Sequence, residues 1–560
     1  MTLRSANDIE SMVREGRSFE GEMLEGFDLR GRNLAKARLG GAKLTQVNLQ
    51  QADLSGSDLK ETRLTSCSLR EASLSGADLS GALLLFADLS GADMRGANLQ
   101  GAKLPSGMLR DADLTGADLT GAVLTGADLR GVKLDETTLS KTSLTRADLT
   151  GSSWTGARID TSVFAEAKLS KVNFSQTTLE SVVFLKADLR GARLPTGLKA
   201  CIFDQAVLTE RDLSESDLAG AELEGLDLSG INFENADLTK TSLTGANLQG
   251  ANLRGANLEM AQLDGCDLRG ADFTGARLYS CLISDANLSG VDLHGQHLEM
   301  VLLNNSDLSG ADLSGATLER SVLDDADLTG ANLTRAVLNQ VTVDRAKIDD
   351  INVEKTTFKA VSFDGVDLRK LKLRGLSLTL CSFVEAKMDG MDLSECDFSC
   401  SDFREADMRK ANLRGAVLKM ACFLKTDLES SILAGASAKA AFFGEARLRK
   451  ADLSRAMLRF STFLKADLTG TRFSGCDMRE CPMMEANATG ARFDGAKLIY
   501  SDLSHAFLEN ADFTGADLTM AVLHAVRDKG ARFRGATTKR LKKTDKDRLE
   551  AETWSPPAAT

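Results

Sequence analysis

Apolar residues recur at every fifth position along most of this chain. The series begins at Leu24, runs to Leu194, resumes at Leu198 and continues to Leu523. Two residues before each apolar centre stands a small residue, usually Ala, and Asp or Asn stands between them. Residues two apart in extended backbone point to the same side. The apolar centre and the small residue are therefore predicted to point inward, and the Asp or Asn between them outward. Glycine often follows, as a tight corner requires.

Phenylalanines at the centre positions repeat every twenty residues. Neither a helix nor a strand spaces like side chains in this way, whereas a coil built from four five-residue sides does. The pattern therefore predicts core ladders stacked inside a solenoid. The ladder residues are Phe164, Phe184, Phe203, Phe363, Phe383, Phe403, Phe423, Phe443 and Phe463 on one wall, and Phe473, Phe493, Phe513 and Phe533 on the opposite one.

One corner is a residue short. The spacing between Leu194 and Leu198 drops to four, and Phe184 and Phe203 are nineteen residues apart instead of twenty. A single-residue deletion within 195–197 explains both changes. It predicts a local irregularity of that corner and no domain break.

The repeat predicts one continuous β-helix over residues 19–537, with about 26 coils of twenty residues. Residues 1–18 are predicted to form an N-terminal cap, because Ile9, Met12 and Val13 have helical spacing, Ser5 or Asn7 can cap the helix and Gly16 can end it. A disordered leader is the alternative. Residues 538–560 are predicted to be a basic C-terminal tail, with a short capping helix first and a disordered end.

The net charge is −12 for 560 residues, and it is unevenly distributed. Residues 527–560 carry ten Lys or Arg against five Asp or Glu, so residues 1–526 carry −17. This balance disfavours direct nucleic-acid binding by the solenoid. Without an apolar run of about 18 residues or a signal-like N-terminus, the sequence predicts a cytoplasmic protein that contacts no membrane. Export by a system that reads no signal peptide is the alternative.

The tandem motif A-(D/N)-L-x-x over residues 19 to about 537 resembles the pentapeptide-repeat proteins. The resemblance implies an all-β fold, a right-handed quadrilateral β-helix with four units per coil. Some members of that family resemble B-form DNA and protect DNA gyrase from quinolones. Others are secretion-system effectors, and long members occur beside type VI secretion genes.

Catalytic and metal-binding motifs are absent from the sequence. Eight of the ten cysteines replace Ala at the small inward position, where free Cys packs as a small apolar residue. Cys400 and Cys422 are the exceptions. The four histidines, His294, His297, His505 and His524, all fall at outward positions. We therefore expect no enzyme activity, no metal and no cofactor.

One outward feature departs from the repeat. Large apolar residues replace glycine at corners that are multiples of twenty residues apart, and others follow just beyond that corner. We call this set the apolar edge: Met260, Leu282, Met300, Leu302, Leu380, Met420, Leu424, Phe442, Phe460, Leu464, Tyr500 and Met520. Soluble proteins rarely align exposed apolar residues in this way. The edge is either a docking site for a protein partner or a second copy, or a cover for the corner backbone.

These observations predict a non-catalytic scaffold or adaptor for protein partners of unknown identity, with a homo-oligomer as an alternative. The resemblance implies a bacterial, secretion-associated setting. The alternative function is a DNA mimic that modulates a type II topoisomerase. Net negative charge favours that alternative, while the length and the basic tail argue against it.

Overall fold

Backbone pairing follows the five-residue units of the sequence. A computed structural model describes residues 5–208 and 212–554. Bridging residues recur every five positions, and outside one shortened corner each pairs in parallel with the residue twenty positions later, as Asp53 does with Ser73 and Asp407 with Asp427. Four short sides therefore close each coil. The predicted β-helical fold and its twenty-residue coil are confirmed.

The described chain forms two units, Met1–Leu282 and Ile283–Thr560, and each is a parallel β-solenoid. The single continuous β-helix predicted over 19–537 stays a prediction across this division. Helix α1 and nine short strands belong to the first unit: α1 Ala6–Arg14, β1 Met23–Glu25, β2 Lys43–Thr45, β3 Arg63–Thr65, β4 Leu83–Leu85, β5 Thr138–Ser140, β6 Arg158–Asp160, β7 Thr178–Glu180, β8 Asp188–Leu189 and β9 Val207–Leu208. They form sheets of four, three and two strands.

The second unit contains one sheet of five parallel strands and helix α2. Its elements are β10 His297–Glu299, β11 Thr317–Glu319, β12 Val337–Asn339, β13 Thr357–Lys359, β14 Leu378–Thr379 and α2 Lys546–Thr553. The remaining sides of both solenoids are held by isolated parallel bridges. Neither helix has the length and apolar content needed to cross a bilayer within the described ranges.

The outward Asp and Asn residues stabilise the sides of each coil. Their side chains accept a hydrogen bond from the backbone N–H two residues later, as Asp53 Oδ1 does from Ser55 at 2.9 Å. Many also pair with a cation, and Arg95 Nη2 lies 2.7 Å from Asp93 Oδ2. The hydrogen bond from Arg95 lowers the pKa of Asp93. A large part of the acidic surface is thus tied to its own backbone and its own arginines.

The phenylalanine ladders are core. Phe383, Phe403, Phe423, Phe443 and Phe463 are fully buried. Neighbouring rings in this run stack nearly parallel, with centroids 4.8 to 4.9 Å apart. The second ladder stacks in the same way from Phe473 to Phe533. In the first unit Phe164, Phe184 and Phe203 form a shorter stack.

The shortened corner changes the register of one coil only. Val183 pairs with Ile202 and Asp188 with Val207, nineteen residues apart, while Gly197 pairs with Asp217 at the usual twenty. The first unit contains this corner, and parallel pairing continues on both sides of it. The predicted deletion is therefore absorbed within the corner.

The predicted N-terminal capping helix is present as α1. Ser5 Oγ caps it by accepting a hydrogen bond from the Asp8 N–H at 3.3 Å. Glu10 Oε2 lies 3.0 Å from Arg32 Nη1, which ties the helix to the first coil. Residues 1–4 of the predicted cap lie outside the described residues.

The predicted C-terminal end of the β-helix, residue 537, is wrong. Lys542 still bridges Val522, so pairing continues beyond residue 537. The backbone amides sustain the ladder there although the centres Thr538 and Lys543 are polar. Helix α2 follows, and residues 555–560 of the tail predicted to be disordered lie outside the described part of the chain.

Candidate protein-binding edge

The corner residues of the apolar edge in the second unit share one backbone conformation. All adopt left-handed φ values between 57° and 66°, a region that favours glycine. Five of these side chains are 40 to 57 % exposed, and Met520 is half-buried. These residues are Met300, Leu380, Met420, Phe460, Tyr500 and Met520. A large apolar side chain here combines an unfavourable backbone with exposure to water.

The corner backbone beneath these side chains is already hydrogen-bonded. The Met420 N–H donates to the Lys439 carbonyl at 3.0 Å, and the Phe460 N–H donates to the Arg479 carbonyl at 3.1 Å. Covering an unpaired corner amide is therefore not the purpose of either side chain. Glycine corners such as Gly415 and Gly435 have the same hydrogen bond, and both interpretations of the edge, docking site and cover for the backbone, stay predictions.

The structure brings five members of the apolar edge together in three successive coils: Met420, Leu424, Phe442, Phe460 and Leu464. Cys422 pairs with Phe442, and Phe442 pairs with Thr462. Phe442 is 37 % exposed, while Leu424 and Leu464 are half-buried. Leu302, also in the second unit, is half-buried and belongs to a more distant coil.

The two members in the first unit form a smaller feature. Met260 is a left-handed corner with 46 % of its surface exposed, and Leu282 is half-buried. The Met260 N–H donates to the carbonyl of Tyr279 at 2.9 Å. Tyr279 is 41 % exposed and was not part of the predicted edge.

Sequence reasoning missed residues on the other side of the same corners in the second unit. Val417 and Met457 are 36 and 53 % exposed and stand on one column through the pairs Val417–Ser437 and Ser437–Met457. The sequence does contain a signal for them, because Val417 and Met457 each replace the polar residue that usually precedes the apolar centre of a unit. We define the three-coil patch as the outward and corner residues of the stacked stretches 417–424, 437–444 and 457–464.

The histidines include one group with ligand-like spacing. His505, His524 and Glu552 offer atoms within 4.8 Å of one another, the only such group of three among the residues described. Glu552 Oε2 lies 3.0 Å from His524 Nε2 and 3.1 Å from His505 Nε2. His524 lies at an outward position of the repeat, as predicted, but it is only 1 % exposed. Helix α2, which carries Glu552, contributes to its burial.

The hydrogen bonds of His524 do not suit a metal. The Asp545 N–H donates to His524 Nδ1 at 3.1 Å, so Nδ1 is the acceptor and the neutral ring carries its proton on Nε2. A metal ligand needs a lone pair on Nε2 and a donor at Nδ1, the reverse arrangement. The cluster instead attaches α2 to the solenoid. The hydrogen bond from His524, with another from Arg548, lowers the pKa of Glu552 to about 2.

The cysteines divide as predicted. The eight at inward positions are buried, Cys400 is exposed and Cys422 is intermediate. Burial raises the pKa of each buried thiol, to about 11 for Cys67 and Cys396 and to about 12 for the other six. Thiols of this kind are weak nucleophiles at neutral pH.

The sequence matches two family models along most of its length. The model described as pentapeptide repeats (8 copies) matches residues 24–105, 112–194, 201–295, 302–340 and 440–527 in overlapping segments. The model described as a pentapeptide repeat region matches residues 356–433. The chain belongs to the pentapeptide-repeat family, whose members are typically non-enzymatic structural or interaction proteins.

Several solved structures align with parts of the chain. HetL from Nostoc sp. strain PCC 7120, a pentapeptide repeat protein involved in heterocyst differentiation regulation, is 26 % identical over 50 % of this chain and 97 % of its own, with a TM-score of 0.23. Full-length QnrB1, a plasmid-mediated fluoroquinolone resistance protein, is 19 % identical over 36 % of this chain and 92 % of its own, with a TM-score of 0.24. Rfr23 from Cyanothece 51142, a pentapeptide repeat protein, is 26 % identical over 26 % of this chain and 91 % of its own, with a TM-score of 0.11. No curated protein matches the sequence.

Proposed function

We propose that this protein is a non-catalytic scaffold that binds a protein partner through the apolar edge of its second unit. One observation carries the proposal: Met420 and Phe460 expose large apolar surfaces from left-handed corners whose amides are already hydrogen-bonded. Burying such a side chain against a partner contributes about 1.5–3 kcal/mol. Aligned anchors of this kind are typical of interaction surfaces.

The setting that we propose is a bacterial secretion system, in which the protein acts as an adaptor. Support comes from the resemblance to long pentapeptide-repeat proteins that occur beside secretion genes. The repeat architecture suits such a role, because each coil contacts only its neighbours and presents an extended surface. The cytoplasm is the compartment that we propose, with signal-independent export as the alternative.

The test is affinity capture from a lysate of the source organism, with the full-length chain as bait. The Met420→Glu/Phe460→Glu double variant places two charges on the apolar edge. Both changes suit the backbone, because Glu445 and Glu480 already occupy left-handed corners. The variant is expected to keep its far-UV circular dichroism and its melting temperature, and to lose the partner.

A matched control places the same two charges elsewhere. Ser430→Glu/Gly470→Glu also introduces two glutamates at left-handed corners forty residues apart, on a different edge of the second unit. The proposal expects this control to capture the partner in wild-type amount. Equal capture by both double variants, or no partner for the wild type, would contradict it.

The second candidate function is a DNA mimic that modulates a type II topoisomerase. The −17 charge of residues 1–526 favours it. Against it, cations interrupt the negative surface, as Arg95 does beside Asp93, and the exposed face of the three-coil patch carries no carboxylate. A gyrase supercoiling assay separates the two functions: inhibition or quinolone protection at stoichiometric protein supports the mimic, and no effect supports the scaffold.

A further inference from the structure

The three-coil patch contains no acidic residue, although the protein as a whole is acidic. Its stretches read VLKMACFL, SAKAAFFG and MLRFSTFL. Parallel bridges stack them, through Val417, Ser437 and Met457 on one side of the corner and through Cys422, Phe442 and Thr462 on the other. The chain has a net charge of −12, whereas this patch contains cations and no acids, so the sign of the surface charge is locally reversed.

Carboxylates return in the next coil on each side, and three of the four, Asp402, Asp477 and Glu480, are paired with an arginine, while Asp397 is bonded to Ser399. Asp402 accepts from Arg404 Nε at 2.6 Å on the N-terminal side. Asp477 lies 2.5 Å from Arg479 Nη2 on the C-terminal side. Glu480 on the C-terminal border pairs with Arg459 of the patch itself, at 2.8 Å, whereas none of these acids pairs with Lys419 or Lys439.

A column of cations runs along one side of the corner. Lys419 and Lys439 are exposed and form no ion pair with any residue that the structure describes. Arg459 continues the column, with its guanidinium carbon 4.5 Å from the centre of the Phe460 ring and Nη2 2.8 Å from Glu480 Oε1. The Nε of Arg459 is buried without a hydrogen-bond partner. Lys419 and Lys439 thus have no carboxylate partner among the described residues, and the Nζ atom of Lys439 lies 5.8 Å from the centre of the Phe460 ring.

One corner residue of the patch, Ala440, is small and stands between two large ones, and we call its position the notch. Met420 and Phe460 project from the first and third coils, and only Ala440 stands between them. The core rings of Phe423 and Phe443 below are 4.8 Å apart, so side chains two coils apart stand about 10 Å from one another. That gap admits one large apolar side chain, with the methyl group of Ala440 as its floor.

We propose that the three-coil patch binds an acidic polypeptide segment that inserts a large apolar side chain over Ala440. This inference rests on the proposed scaffold function and specifies the chemistry of the partner. The partner's carboxylates face Lys419 and Lys439, while its other apolar side chains cover Phe442 and Leu464. Charge complementarity selects this occupant, because a second copy of the same patch brings cations against cations.

The experiment is a selection of random sixteen-residue peptides displayed on phage, with the full-length chain as the target. Enriched peptides are expected to carry net negative charge and at least one aromatic or large aliphatic residue. A synthetic copy of the best peptide should bind at least tenfold more tightly than a version with Lys in place of its acids. Its affinity should fall as salt rises from 50 to 500 mM, as screening of charge pairs requires.

Two alanines provide the matched variants. Ala440→Glu fills the notch with a charge of the wrong sign and should weaken peptide binding at least tenfold. Ala360→Glu makes the same change at a left-handed corner of the same edge, three coils before Met420 and so outside the patch, with φ 52° against 57° for Ala440 and with Lys359 and Ser362 as neighbours. Ala360→Glu should bind the peptide as the wild type does. Lys419→Glu/Lys439→Glu should reverse the charge preference.

Three results would overturn the inference. The first is enrichment of basic or uncharged peptides whose binding Ala440→Glu abolishes. The scaffold function would stay intact in that case if the lysate partner is still captured. The second is binding of a 20-base-pair DNA duplex, or self-association in sedimentation, that Ala440→Glu abolishes. The third is peptide binding that Ala440→Glu leaves unchanged. Failure of the scaffold function itself appears separately, as absence of a captured partner.

Discussion

The ring of Phe442 lies directly over Gly444, two residues later on the same outer side of the coil. A Cβ atom at position 444 would lie 2.6 Å from the Cε1 and Cζ atoms of Phe442. Gly444 does not adopt the left-handed backbone that glycine serves at corners. Its role is to let an aromatic ring lie flat against the solenoid, which extends the apolar surface of the three-coil patch.

Gly444→Ala is therefore expected to displace the Phe442 ring and to lower the free energy of unfolding by about 1 kcal/mol, at the low end for overpacking. In a Phe442→Ala background the three atoms nearest to the added methyl group are removed, and the loss should vanish. Urea denaturation of the single and double variants measures this coupling. The same loss in both backgrounds would show that the contact is not the cause.

Two adjacent phenylalanines test the assignment of core and surface. Phe443 is fully buried in the stacked ladder, whereas Phe442 is 37 % exposed. Phe443→Ala should cost about 3–5 kcal/mol of unfolding free energy, and Phe442→Ala about 1 kcal/mol or less. Chemical denaturation provides both values. Equal costs would contradict the inward and outward assignment of the repeat.

The thiols should react in a fixed order with a maleimide at pH 7.5. Cys400 is exposed and should label first, and Cys422, half-buried with a raised pKa, should follow more slowly. Burial and a pKa of about 12 should protect Cys381 until the chain unfolds. Peptide mapping by mass spectrometry reads the order. Labelling of Cys381 as fast as Cys400 would show that the coils open locally.

Attachment of α2 should depend on the carboxylate of Glu552. The folded-state pKa of Glu552, about 2, lies below its ordinary value of 4.5, so its stabilising contribution is present above pH 4.5 and is lost as pH falls towards 2. Glu552→Gln should raise hydrogen exchange of the α2 amides at pH 6. The difference from the wild type should shrink as the pH approaches 2. Added zinc should not restore protection.

The repeat predicts most of the fold because each coil is local and periodic. The step from Phe363 to Phe463 gave the coil length, and the short interval between Leu194 and Leu198 located the register change. The cap could be read from Ser5, since helix capping is a contact between residues three apart. Each of these features depends on spacing along the chain, which a sequence shows directly.

Features made by contacts between distant residues could not be predicted in this way. His524 stands at an outward position, and only a helix 22 residues further on explains its burial. Lys542 pairs through its backbone, so no apolar residue in the sequence indicates this pairing. The reversal of charge around Ala440 becomes visible only when three stretches twenty residues apart are stacked. Of the candidate site, only the apolar corner residues could be recognised from the sequence.

Site-specific photo-crosslinking tests the central claim most directly. A benzophenone amino acid replaces Phe460 in one sample and Ser430, a left-handed corner on a different edge, in the other, and each full-length chain is irradiated in source-organism lysate. The scaffold account predicts a discrete protein adduct from position 460 and none from position 430. An adduct from position 430 with none from position 460 would contradict a docking site on the apolar edge.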